Sequence, residues 1–245
     1  MAKTLKNYEY YRTDLGVLYC GDCLEILPLI TGPVDLVLTD PPYGINYLSP
    51  RTDNHDKLKN DELGDWLKCL PLWFTQFKRI LTNTGCCCCC CGGGGGKIPV
   101  TAMFTMEAIK YFNLIQTLVW KKTIGLGWRY RPSYENIVIL SKDKNNYNFY
   151  DISKKCSNVI NGIGQDIPSN EDHPTQKPSE LMEYMLKIHS KQGDLVLEPF
   201  CGGGSTAYAC ERLGRKWIGI EISEKYCKIA AKRIKTEANQ LKLFK

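Results

Sequence analysis

No window of the 245-residue chain approaches the apolar length that a membrane span requires. The opening Met1-Ala2-Lys3-Thr4-Leu5-Lys6 lacks the apolar core of a secretory signal. Both absences lead to the expectation of a cytosolic protein. Metal-ligand spacing is missing as well. Of thirteen cysteines, six form the unbroken run Cys86 to Cys91, whose side chains alternate faces and cannot wrap a tetrahedral ion. Cys20-Gly21-Asp22-Cys23 has C-x-x-C spacing but no second pair or Cys/His cluster beside it. Reduced, mostly buried thiols and no metal are the expectation. Charge of one sign is scarcely in excess: a net +6 favours an anionic partner only weakly.

What is present reads as one α/β domain over 1–245 with ordinary globular composition, 43% hydrophobic and 24% charged. Val17-Leu18-Tyr19-Cys20 and Val34 to Thr39 are short apolar runs of the kind buried strands need, joined by a short helix through Leu24, Ile26 and Leu27. Leu63, Trp66, Leu67, Leu70, Trp73, Phe74, Phe77, Ile80 and Leu81 recur in steps of three and one, an amphipathic helix that Pro71 should kink or divide. Cysteine behaves as a small apolar residue, so Cys86 to Cys91 reads as a buried strand with Gly92 to Gly96 as its exit. Ala102 to Phe112 predicts a helix, and Leu114 to Trp120 and Glu135 to Leu140 two strands.

Pro178 to His189 predicts a helix with proline in its first turn. Leu195 to Phe200, Ser205 to Leu213 and Trp217 to Glu221 then alternate strand, helix, strand, with Gly214 as the helix stop. Ser223 caps a last helix whose Lys225, Lys228, Lys232, Arg233 and Lys235 read as a solvated face. The polar stretches 44–61 and 141–172 read as surface inserts. The first is placed to close over a substrate, or is surface slack. Gly125 to Pro132 interleaves aromatics with arginines, which suits unstacked bases or a hairpin tip packed on itself.

Asp40-Pro41-Pro42-Tyr43 stops the strand that precedes it. A residue before proline is pushed away from helix, and prolines offer no N–H to a neighbouring strand. The result is a rigid corner carrying one carboxylate, free carbonyls and an aromatic ring at the C-terminal end of a strand, where ligands of open α/β sheets sit. An exocyclic base amine is a poor nucleophile because its lone pair is delocalised into the ring. A carboxylate and a backbone carbonyl, each accepting one amino hydrogen, would favour a pyramidal nitrogen and aim its lone pair at an electrophile. Tyr43 is placed to stack on a base taken out of its helix. A plain Pro-Pro turn with a surface acid accounts for the same four residues.

Strand, glycine turn (Gly202-Gly203-Gly204), helix, and a strand ending in the acid Glu221 make a nucleotide-binding half. No lysine or arginine neighbours the turn, so an adenosine without a pyrophosphate fits better than a dinucleotide; S-adenosylmethionine is one. His173-Pro174-Thr175-Gln176-Lys177-Pro178 offers polar groups to its amino-acid end, or is a polar loop before a helix.

Together, Thr39-Asp40-Pro41-Pro42-Tyr43-Gly44, His173-Pro174-Thr175-Gln176-Lys177-Pro178, Glu198-Pro199-Phe200-Cys201-Gly202-Gly203-Gly204-Ser205-Thr206 and Gly219-Ile220-Glu221-Ile222 resemble the amino-methylating DNA methyltransferases. The motif order is similar to that of their permuted β group. The resemblance spans Leu18 to Lys235. It implies a doubly wound, mostly parallel seven-stranded sheet of the S-adenosylmethionine-dependent methyltransferase type, and methyl transfer to a base flipped from double-stranded DNA. By that resemblance Asp40 and the carbonyl of Pro41 accept the amino hydrogens, with Pro42 rigidifying the corner and Tyr43 stacking. Glu198, Phe200, Gly202, Gly204, Ser205 and Thr206 line the cofactor, Glu221 holds its ribose, Asp22 lies near its adenine, and His173, Thr175, Gln176 and Lys177 complete the pocket.

An Asp-first tetrapeptide is more typical of adenine N6 than of cytosine N4. The family also leaves open a companion restriction endonuclease, and a monomer or a homodimer. Other readings are a cytosine, RNA or protein-amide acceptor, a non-catalytic DNA-binding module retaining the fold, and a nicotinamide enzyme. The cysteine–glycine run and the lack of a long recognition domain depart from the family pattern.

Overall fold

A computed structural model of the chain describes residues 3–45, 62–92, 99–123, 131–151, 153, 155–164 and 176–243. In chain order its elements are β1 (Glu9–Arg12), β2 (Gly16–Cys20), α1 (Cys23–Ile26), β3 (Val34–Thr39), α2 (Leu63–Ile80), β4 (Leu81–Cys90), α3 (Val100–Ala108), β5 (Asn113–Lys121), β6 (Tyr134–Ser141), β7 (Val159–Ile160), α4 (Ser179–His189), β8 (Leu195–Glu198), α5 (Ser205–Leu213), β9 (Lys216–Glu221) and α6 (Glu224–Leu243). One sheet runs β1-β2-β9-β8-β3-β4-β6-β5-β7. The five strands from β2 to β4 are mutually parallel, and β6 lies antiparallel to both β4 and β5. Nine strands stand where seven are expected; the two additions are β1 and the two-residue β7 at the edges.

Alternation along the strands divides the core into two layers. Val37, Cys87, Cys89, Val138 and Leu140 face one way, under Trp66, Trp73, Phe74 and Phe77 of α2 and Phe104 of α3. Leu36, Leu38, Cys86, Cys88, Cys90, Ile137 and Ile139 face the other, under Leu181 and Met185 of α4, Ala207 and Cys210 of α5, and Ala230 and Ile234 of α6. The cysteine run is therefore the buried strand expected, and it is paired with β3 on one side and β6 on the other. Its thiols are free, as are the remaining cysteines.

Pro71 does not divide its helix: α2 is one continuous element of 18 residues. Trp66 and Leu70 before the proline and Trp73, Phe74 and Phe77 after it are all buried on one side, and each large side chain so buried contributes roughly 1.5–3 kcal/mol. Together they exceed the ~3 kcal/mol of an internal proline. Among the described residues, no helix is long and apolar enough to cross a membrane.

Two connections matter for function. From β8 the chain passes through α5 to β9 on one side; from β3 it passes through α2 to β4 on the other. Adjacent strands whose connections leave in opposite directions open a crevice at their C-terminal ends, the topological switch point of a doubly wound sheet.

Candidate active site

Both halves of the expected site meet at that switch point. Asp40 follows the last residue of β3, the Gly202–Gly204 turn follows β8, and Glu221 ends β9. These three strands are adjacent and parallel, so Asp40 and Glu221 lie on one edge about two strand spacings, ~10 Å, apart. Gly202 (φ 49°) and Gly204 (φ 80°) take left-handed angles that only glycine adopts freely. The Gly202 N–H donates to Glu221 Oε2 at 2.8 Å and the Ser223 N–H to Oε1 at 2.8 Å. Burial pushes Glu221 up, against those N–H donors. Asp22 accepts from the Leu24 N–H at 2.8 Å as the cap of α1, and the Gly21 N–H binds the carbonyl of Glu221.

A second network ties the halves together. Glu198, buried at the end of β8, accepts from the Thr39 hydroxyl at 2.6 Å, the Phe200 N–H at 3.1 Å and the Thr206 hydroxyl at 2.8 Å. The residue before Asp40 is thus fastened to the first turn of α5. The Ser205 hydroxyl donates to the carbonyl of Lys177 at 2.6 Å and accepts from Arg233 at 3.1 Å. Ser205 and Thr206, expected along the cofactor, therefore spend their hydroxyls inside the protein. Arg233 is not part of a solvated face: it is half-buried against the Tyr208 ring. Phe200 packs edge-on against Trp73 with ring centroids 4.8 Å apart.

Burial of Glu198 in this network pushes its carboxyl up to about 8. A carboxyl raised in the folded state stabilises the protein fully below its unfolded value, and the contribution disappears as pH climbs through the folded one. Between about pH 4.5 and pH 8 the protein should thus lose stability. Glu198→Gln should flatten that slope in thermal melts taken across this range. An unchanged slope would remove Glu198 as its source.

Asp40 itself is held by Tyr43 of its own corner and by Lys177. The Tyr43 hydroxyl donates to its Oδ1. Lys177 donates to Oδ2 at 2.6 Å and to the Tyr43 hydroxyl at 3.1 Å. Lys177 also lies 3.3 Å from Glu135 Oε2, and Lys122 lies 2.5 Å from Glu135 Oε1. The Asp40 side chain is 23% exposed and that of Lys177 only 8%, so the acid opens outward while its lysine is enclosed. Burial pushes Asp40 up against the pull of Lys177. Burial alone would lower Lys177, but Asp40 and Glu135 hold it well above the ordinary ammonium range. The lysine stays protonated, and Asp40 takes a proton more readily than a free carboxylate.

Lys177, expected at the cofactor, thus places its ammonium on the corner acid. Tyr43 lies against Gly92, where an added Cβ would stand 3.3 Å from its ring, so this glycine forms part of one wall of the corner. Pro41 is buried and Pro42 half-buried. The side-chain oxygen of Gln176 is buried without a partner among the described residues. His173 and Thr175 lie outside the described residues, as do most of 44–61, 165–172 and 124–130. Glu135 and Lys122 escaped sequence reading. The available signal was an acid second in a mostly apolar strand, one residue past the partner of Lys121, the charged end of the strand it pairs with.

A relative from Haemophilus parainfluenzae, the Type II methyltransferase M.HpaI, is 27% identical over 241 residues, covering 91% of this chain and 75% of its own. The Type II methyltransferase M2.DpnII of Streptococcus pneumoniae is 28% identical over 258 residues, covering 95% and 94%. Among solved structures, the cytosine-N4-specific PvuII DNA methyltransferase superposes with a TM-score of 0.73 at 21% identity, over 96% of this chain and 95% of that one. The Thermus thermophilus protein TTHA0409, solved in complex with S-adenosyl-L-methionine, gives 0.68 at 23% identity, over 90% and 93%. These structural likenesses bear on the fold, an S-adenosylmethionine-dependent methyltransferase sheet. The family model of the N6/N4 methyltransferases, described as DNA methylase, matches residues 34–232, most of the sequence, and the chain belongs to that family.

Proposed function

We propose that this DNA methyltransferase transfers a methyl group from S-adenosylmethionine to the N6 amine of an adenine flipped out of double-stranded DNA. One observation carries the reading: a partly exposed carboxylate, Asp40, shares a single strand edge with a glycine turn and a buried acid, with the switch-point crevice between them.

The residues present suit the cofactor. Glu221 is a carboxylate with lone pairs remaining beyond its two N–H donors, as a ribose diol requires. The turn brings backbone rather than side chains to the crevice, and Asp22 sits one strand further along the same edge. When bound, S-adenosylmethionine supplies a methyl carbon on a positively charged sulfur, open to attack by an amine. Asp40 and the Pro41 carbonyl accept the two amino hydrogens and direct the nitrogen lone pair. The Tyr43 ring stacks on the base while its hydroxyl fixes the carboxylate. Within one domain of 1–245, the stretch 44–61 and the part of 141–172 from Val159 onward are the ones to face the DNA. Ser141 to Tyr150, expected to do so as well, lie instead at the opposite edge of the sheet, where the Asn148 N–H donates to the carbonyl of Thr84 near the start of β4, because an antiparallel β6 ends where the parallel strands begin.

The Asp-first corner supports adenine. Cytosine N4 is the second reading, because the PvuII methyltransferase, whose structure covers nearly the whole chain, is cytosine-N4-specific. Incubation of DNA, RNA and protein pools with labelled cofactor, followed by digestion and chromatography, separates these. N6-methyladenine in DNA is expected; N4-methylcytosine moves the assignment to the second reading, and label in RNA or protein alone removes both.

A further inference from the structure

We infer that Glu135 is a positioning residue that keeps Lys177 in place while Asp40 takes up the proton released on methylation. The inference rests on the role proposed above for Asp40. As the amine nitrogen bonds to the methyl carbon, the carbon–sulfur bond breaks with its electron pair on sulfur. The nitrogen then carries one positive charge until one of its two protons leaves. Asp40, already within hydrogen-bonding distance in that arrangement, accepts the proton and becomes neutral.

That step creates a problem for the enclosed lysine. Were Asp40 its only counter-ion, Lys177 would be left as a buried, unpaired cation, which burial strongly disfavours. Glu135 Oε2, 3.3 Å from the ammonium, is a second counter-ion already in position. Lys122 grips the other carboxylate oxygen at 2.5 Å, so Glu135 cannot simply collapse onto Lys177. Among the described residues, two acids and two lysines, paired one to one in charge, make up the cluster. The proton from the amine is the only charge it gains.

Topology explains how Glu135 reaches this edge. It lies near the start of β6, opposite Trp120 and next to the Lys121–Tyr134 pair. Because β6 is antiparallel to β4, its beginning lies at the edge where the parallel strands end. A parallel strand would bring its last residues there instead. Among the described residues, the ionisable groups facing Asp40 are Lys177, Tyr43, Glu135 with Lys122 behind it, Glu198 from β8, the thiols Cys89 and Cys90 at the end of β4, and Cys91 just after it. Burial pushes those thiols up and keeps them neutral.

The test is the pH dependence of single-turnover methylation by the full chain for the wild type, Glu135→Gln, Lys122→Gln and Asp40→Asn. Parallel 13C NMR titration of the free protein's carboxyls identifies Asp40 by its absence in Asp40→Asn. Glu135→Gln should slow transfer at least about tenfold, with cofactor affinity and KM for DNA within about threefold. Its acid limb should move down by about one pH unit, because a negative neighbour of Asp40 is gone. Lys122→Gln should move the limb up, since Glu135 then repels Asp40 without a second counter-ion. The NMR midpoint of Asp40 should follow both shifts. A merely structural Glu135 would lower the amount of folded protein and move neither limb. Unshifted limbs in both variants overturn the inference, and Lys122→Gln alone decides it if Glu135→Gln fails to fold. Full activity in Asp40→Asn would instead overturn the role assigned to Asp40.

Discussion

Asp40→Asn is expected to lower methyl transfer by about a thousandfold or more while leaving cofactor affinity within a few-fold. Asparagine matches the shape of the carboxylate but presents one NH2 group, a donor, where two acceptors stood. It cannot take the proton from the methylated amine, and its amide is repelled by the ammonium of Lys177 that now lies 2.6 Å from Oδ2. Cofactor affinity is spared because the glycine turn follows the neighbouring strand and Glu221 ends the one beyond it, and the two hold each other through their own hydrogen bond. Single-turnover rates with labelled cofactor, set beside calorimetric titration of the same preparation, check both halves. A rate near that of the wild type would end the assignment of Asp40.

The second large effect is on stability. Lys177→Met should destabilise the protein by about 3–5 kcal/mol near neutral pH, the cost of removing one partner from a buried ion pair. Both Asp40 and Glu135 lose their shared cation. Without it, burial and mutual repulsion raise both carboxyls above their unfolded values. Stability held by such groups is present at low pH and lost as pH rises, so the deficit should be largest at pH 8 and shrink towards pH 5. Urea titrations at those two values measure it. A deficit that does not vary with pH would mean that Lys177 acts through packing alone. Transfer should be lost as well, because the corner acid loses the contact that fixes it.

Much of this was legible in the chain. The apolar runs at Val17 and Val34 and the period of Trp66 to Ile80 follow from local rules, and all become the elements they predict. The cysteine run could be read as a strand because a buried parallel strand asks only for small apolar side chains on both faces. Pro71 does not divide its helix, because a local penalty takes no account of the aromatic face that outweighs it. The edge strands β1 and β7 gave little signal, being short and largely exposed or paired along one side only.

The same division runs through the site. Asp40, Gly202, Gly204 and Glu221 announce themselves because strand-end corners, left-handed turns and strand-end acids leave marks within a few residues of sequence. Glu135, Lys122 and the true position of the Lys177 ammonium do not, since each depends on which strands become neighbours. By itself the sequence determined the elements, the family and the two half-sites, all of which arise from interactions between residues close in the chain. Only the tertiary structure decided that an antiparallel β6 beside β4 brings an acid to the edge where parallel strands end. It likewise decided that a lysine 137 residues away neutralises Asp40. Coulomb forces act through space rather than along the backbone, and burial strengthens them.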